Sequence, residues 1–121
     1  WYMLPSGRVL CYPFARLETD GVSYLKAAWK PAADAAEWPR ARLWRGLAVE
    51  NVTQATANDV LRHALRRLEG IVLQIHDEII VETTDPDAAT AAMRQAMCEA
   101  PAWAEGLPLA IDVKTMRRYS K

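Results

Sequence analysis

Cysteine is scarce in this chain: Cys11 and Cys98 are the two among 121 residues. They are too few and too far apart for a disulfide framework or a CxxC metal site, which fits a reducing, cytoplasmic compartment. Histidine is as sparse, and neither His63 nor His76 stands at a metal-ligand spacing from the cysteines. An excess of either charge is missing too, because fifteen basic and fifteen acidic residues cancel. Nothing in the net charge calls for nucleic acid as a strongly basic domain would, so any such contact must be local. The longest apolar run, Ile71 to Val81, is broken by Gln74, His76, Asp77 and Glu78. That excludes a membrane span and a signal-peptide pattern, and no membrane partner is expected. No internal repeat or low-complexity tract is visible. The first residue is Trp1 rather than Met, as expected of a piece cut from a longer chain.

What is present is enough apolar side chain, 51% of residues, for one small domain with a modest core. The stretch Leu4-Pro5-Ser6-Gly7-Arg8 is a turn signal before the β-favouring Val9 to Tyr12, and Thr19-Asp20-Gly21 precedes Val22 to Leu25. A hairpin or small meander follows from this pattern. Lys30 to Arg42, with two prolines, reads as a connector. From Leu47 to Glu69, Val49, Thr53, Ala57, Val60, Leu61, Ala64, Leu65 and Leu68 recur at helical spacing and stop before Gly70. Ile71 to Thr83 is β-branched with a polar centre, so two strands about a tight turn are predicted. Thr84 or Asp85 can cap a second helix with Pro86 first, a stripe of Ala89, Ala92, Met93, Ala96 and Met97, and a stop at Pro101. Leu107, Leu109, Ile111 and Val113 then alternate as in a half-buried strand. The expected fold class is α+β: an antiparallel sheet with two main helices on one face, in the order hairpin, helix, hairpin, helix, strand.

The turn in Gln74-Ile75-His76-Asp77-Glu78 carries the chemistry. Tight hairpins prefer Asn-Gly or Asp-Gly, yet this one places two adjacent carboxylates at its centre. Carboxylates on a rigid hairpin tip can offer oxygen ligands to a hard cation such as Mg²⁺. An ordinary solvated tip is the bland alternative. On the preceding helix, Asn51, Gln54, Asn58 and Arg62 share a face, and amide donors there suit the acceptors that every base pair shows in the minor groove. A wet helix face is the simpler reading of the same residues. Basic residues gather as Arg40, Arg42 and Arg45, as Arg62, Arg66 and Arg67, and as Arg117, Arg118 and Lys121. They are able to meet phosphates or to pair with neighbouring acids such as Glu50, Asp59 and Glu69. The five tryptophans are scattered, which favours packing over a stacking platform for single strands.

Taken in order, Leu4-Pro5-Ser6-Gly7-Arg8, Glu50-Asn51-Val52-Thr53-Gln54-Ala55, Gln74-Ile75-His76-Asp77-Glu78, Pro101-Ala102-Trp103-Ala104 and Arg118-Tyr119-Ser120-Lys121 resemble the C-terminal palm segment of family A DNA polymerases, phage branch. The resemblance implies that residues 1–121 are one part of a palm, with 1–46 its hairpin and connector and 47–121 its helix, motif C hairpin, helix and final strand. It implies that Asp77 is the motif C catalytic aspartate and a ligand of a two-Mg²⁺ centre, which activates the primer 3′-hydroxyl and stabilises the leaving pyrophosphate. Glu78 is then its supporting acidic neighbour, His76 approaches the primer terminus, and Asn51 and Gln54 follow the minor groove. Thr53 and Ala55 depart from the proline and glycine that the family often has beside that glutamine. Partners of the intact enzyme would be primer-template DNA and a deoxynucleoside triphosphate.

The other metal-binding aspartate, in motif A, and the nucleotide-gripping fingers helix do not occur in this sequence; in the family both precede this region. One catalytic aspartate cannot place two metals about 3.5–4 Å apart, so the chain by itself is expected not to polymerise. The alternative from another class is a noncatalytic nucleic-acid-binding domain or prophage remnant. An HD-type phosphohydrolase is disfavoured, because its ligands sit on helices and the His76-Asp77 pair lies in a β-rich segment.

Overall fold

A computed structural model describes residues 1–26 and 38–119. Most of the predicted connector, with Trp29, and the final Ser120 and Lys121 lie outside the described residues. The chain divides into two compact units, Trp1–Thr56 and Ala57–Lys121, and the division falls inside a helix. The class is α+β, and every strand pair is antiparallel. Among the described residues the strands form three separate small sheets instead of one continuous sheet.

In the first unit, β1 (Tyr2–Met3) pairs with β2 (Val9–Leu10) across the Leu4-Pro5-Ser6-Gly7-Arg8 turn. The amide of Gly7 donates to the Leu4 carbonyl at 2.9 Å and the amide of Leu4 to the Arg8 carbonyl at 2.8 Å. Pro5 pre-sets the first turn position, and Gly7 takes φ +82°, where a side chain is disfavoured. Local turn chemistry thus accounts for each of these residues. A second sheet orders β3 (Arg16–Glu18), β4 (Gly21–Leu25) and β5 (Arg40–Leu43). The connector expected over Lys30 to Arg42 therefore ends in a strand. Its Arg-Ala-Arg-Leu alternation is short and charged, and the arginines find partners across the sheet. Arg40 donates to the Ser23 hydroxyl at 2.7 Å, and Arg42 pairs with Asp20 at 2.6 Å.

α1 (Arg45–Leu65) begins earlier and ends sooner than the predicted Leu47 to Glu69. The chain leaves it through a tighter turn, with the Arg67 amide on the Ala64 carbonyl at 2.9 Å. Gly70 then takes φ +69°, and a Cβ there would sit 3.0 Å from the Glu82 carbonyl. In the first half of α1 the predicted apolar stripe is turned outward: Val49, Thr53 and Ala57 are exposed, while Ala48, Asn51, Val52, Ala55 and Thr56 are half-buried. The reason is visible in the contacts. The Arg8 guanidinium donates to the Ala55 carbonyl at 2.8 Å and the Asn51 amide to the Tyr12 hydroxyl at 3.2 Å. Tyr12 stacks edge-to-face on the buried Tyr24 at 5.1 Å. A polar and aromatic brace, not a leucine stripe, selects the inward face.

In the second unit, the later positions Val60, Leu61, Ala64, Leu65 and Leu68 are half-buried or buried, as the period predicts. β6 (Ile71–Ile75) and β7 (Glu78–Val81) form the expected hairpin, with a register shift between Ile71 and Leu73 that leaves Val72 without a partner across the ladder. α2 (Pro86–Cys98) starts at Asp85, whose carboxylate accepts the Ala88 amide at 3.1 Å, with Pro86 at the first turn. Ala96 is buried on its stripe, although Ala92 is exposed. A 3₁₀ turn, Ala102–Ala104, follows Pro101. The predicted final strand does not form. Leu109, Ile111 and Val113 keep their alternating burial, but no neighbouring edge pairs with this segment among the described residues, and an extended segment without a ladder is not a strand.

Few apolar side chains are buried among the described residues: Leu4 and Tyr24 in the first unit, and Ala64, Ile79 and Ala96 in the second. Trp1, Trp38 and Trp44 are exposed, so core packing is not what they do; Trp103 is half-buried. Among the described residues no helix is long and apolar enough to cross a membrane.

Two expectations follow for stability. Asp85→Ala removes a helix cap and should cost about 1 kcal/mol in denaturant unfolding. Arg67 bonds both Glu99 and the His63 ring, and its hydrogen bond, reinforced by the Arg67 and His63 charges, holds the Glu99 carboxyl below its ordinary value. The contribution of that pair should be present above the ordinary carboxylate range and fade as pH falls through the lowered value. Carboxyl NMR shifts of Glu99 followed with pH, against an Arg67→Ala variant in which the lowering shrinks, check this.

Candidate functional site

The pairing of Ile75 with Glu78 leaves two residues, His76 and Asp77, to reverse the chain. Glu78 is consequently the first residue of β7 rather than part of the turn itself. His76 takes φ +53°, in the positive-φ region that favours glycine, while Asp77 does not have positive φ. Histidine tolerates this region better than most residues, but still at a cost of about 1–2 kcal/mol. The Gln74 side chain donates to the His76 carbonyl at 3.1 Å and ties the tip to the strand beneath it. His76, Asp77 and Glu78 are all exposed. A strained histidine in place of glycine, followed by two carboxylates, is more than chain reversal requires.

Glu78 has a partner that sequence reasoning did not supply. The Tyr119 hydroxyl donates to Glu78 Oε2 at 3.2 Å. Partial burial of the phenol, then its bond to the carboxylate and the negative charge there, push the Tyr119 pKa up. The signal was present in Arg118-Tyr119-Ser120-Lys121, but a contact across 41 positions has no local periodicity to reveal it.

The helix face divides. Asn51 is half-buried and spends an amide hydrogen on Tyr12, so it belongs to the packed side of α1 instead of the exposed polar face. Gln54, Asn58 and Arg62 remain exposed, four residues apart along the helix, and bond no described side chain. Among the basic groups, Arg40, Arg42 and Arg67 are engaged internally, while Arg66, Arg117 and Arg118 are exposed. The donor set for a divalent cation is small. Asp77 and Glu78 are neighbours, but among the described residues no three His, Cys, Asp or Glu side chains come together as a ligand group. These residues fit one carboxylate contribution to a cation, not a complete centre.

The chain is 33% identical to the DNA polymerase of Bacillus phage SP02, in an alignment covering 98% of this chain and 19% of that protein. It therefore spans about a fifth of that polymerase's length. No protein-family model matches the chain, and no solved structure matches it.

The turn geometry makes a direct expectation. His76→Gly should hold stability or raise it by up to ~1 kcal/mol, whereas His76→Val should lower it by about 1–2 kcal/mol. Urea midpoints at unchanged m-value measure both.

Proposed function

We propose that this chain is the C-terminal palm segment of a family A DNA polymerase, and that it contributes motif C to a nucleotidyl-transfer site. The observation that carries the reading is the likeness of nearly the whole chain to a phage DNA polymerase. The acidic tip, built at a cost in backbone strain, supports it. Asp77 is the catalytic aspartate and would supply a carboxylate to Mg²⁺; Glu78 is its supporting neighbour. Mg²⁺ bound in a complete centre lowers the barrier by stabilising the charge on the attacking and leaving oxygens. The role of this chain's own residues is to hold Asp77 at a fixed height above the ladder and to place His76 beside it at the primer terminus. Gln54, Asn58 and Arg62 lie along the helix that would follow the duplex, where amides meet minor-groove acceptors and the guanidinium meets phosphate. Asn51, with its amide bonded to Tyr12, serves that helix by fixing its rotation. Primer-template DNA and a deoxynucleoside triphosphate are the partners of the intact enzyme, and the compartment is the cytoplasm. The second reading, a noncatalytic nucleic-acid-binding domain, draws on the same exposed helix face without the chemistry.

Two measurements separate the readings. Alone, with Mg²⁺, primer-template and all four deoxynucleotides, the chain should extend no primer, because the second aspartate is not in its sequence. Substituted for the corresponding fifth of the phage SP02 enzyme, it should support extension, and Asp77→Asn in that chimera should reduce the rate by at least about 10²-fold, or ~2.7 kcal/mol. A soluble chimera that binds DNA but extends nothing, with or without Asp77, favours the noncatalytic reading. Duplex binding followed by fluorescence anisotropy should weaken in Arg62→Ala, with the salt slope reduced by about one phosphate contact, ~0.9.

A further inference from the structure

The carboxylate beside Asp77 is held from a distant part of the chain. The segment after the 3₁₀ turn forms no ladder among the described residues; it belongs to the second unit, and Leu109, Ile111 and Val113 in it are half-buried. At its end the Tyr119 phenol reaches Glu78 Oε2. The chemistry of this donor is selective. A lysine or arginine would also bond the carboxylate, but it would cancel a negative charge of the pair. A phenol donates a hydrogen bond while leaving both charges in place. Two adjacent carboxylates repel, and a free Glu78 side chain would sample several rotamers about that repulsion.

We propose that Tyr119 is a positioning residue that orients Glu78 through this bond while preserving the negative charge offered next to Asp77. The inference rests on the reading of Asp77 and Glu78 as motif C carboxylates and adds a residue to it. Tyr119 itself touches neither substrate nor cation in this role. At 3.2 Å the bond is long for a phenol and a carboxylate, and both side chains stay exposed.

The test is side-chain NMR on the full 121-residue chain, without divalent cation or DNA. Three-bond couplings to Glu78 Cγ should show one dominant χ1 rotamer. In Tyr119→Phe, which keeps the ring and removes the hydroxyl, that rotamer should fall toward about one third, the share of each of three staggered wells. Backbone amide shifts away from β7 and the tail should stay in place. Glu78→Gln, whose amide oxygen still accepts, should keep the Tyr119 ring ordered, and Glu78→Ala should free it. Averaged couplings already present in the unsubstituted chain overturn the proposal, as do couplings unchanged in Tyr119→Phe. Amide shifts spread through the second unit in Tyr119→Phe overturn it as well, because the hydroxyl would then be a packing element. None of these readings involves catalysis, so failure of the polymerase assignment, seen in the chimera, is separately visible.

Discussion

Where Asp77 stands is decided by the ladder beneath it. Ile75 faces Glu78, Gln74 faces Ile79 and Leu73 faces Ile80, and a slip of one residue would send every side chain of β7 to the opposite face. Ile79, buried in the small core, resists that slip. The two-residue loop then leaves no slack, so His76 must accept positive φ and Asp77 must occupy the second turn position. The Gln74 amide and the Tyr119 phenol both act on this arrangement, one on the backbone of His76 and one on the carboxylate of Glu78. Both of these donors are neutral, and the one that meets a carboxylate leaves its charge in place.

The first unit meets a related problem, setting the rotation of a helix that has few large apolar residues. Its inward positions are Ala48, Asn51, Val52, Ala55 and Thr56, side chains too small to fix an angle by shape. Directional bonds do so: Arg8 on the Ala55 carbonyl and Asn51 on Tyr12. Because these bonds depend on angle more steeply than apolar contact does, they specify which residues face outward. Gln54 is outward as a result.

Local chemistry was legible in the sequence and long-range pairing was not. The Pro5-Ser6-Gly7 turn, the Asp85 cap, the Gly70 exit and the hairpin about His76-Asp77 each follow from a few adjacent residues, and the structure has all four. β5 was missed because its arginines look like surface charge until Ser23 and Asp20 are placed opposite them. The final strand was predicted from true alternation at Leu109, Ile111 and Val113, but alternation reports burial and cannot report a hydrogen-bonding neighbour. Asn51 was grouped with Gln54 because both are amides at helical spacing. The angular difference of three positions, together with Tyr12, separates them.

The unopposed Val72 has a further effect on the β6–β7 ribbon. An extra residue in one strand bends it, increases the local twist and interrupts the regular spacing of free amides and carbonyls. A flat two-stranded ribbon rich in isoleucine and valine is a template on which another chain can add, edge to edge, and propagate. The bulge removes the flatness that such addition needs. The irregularity at Val72 thus sets the base of the hairpin apart from the regular edge that such addition uses.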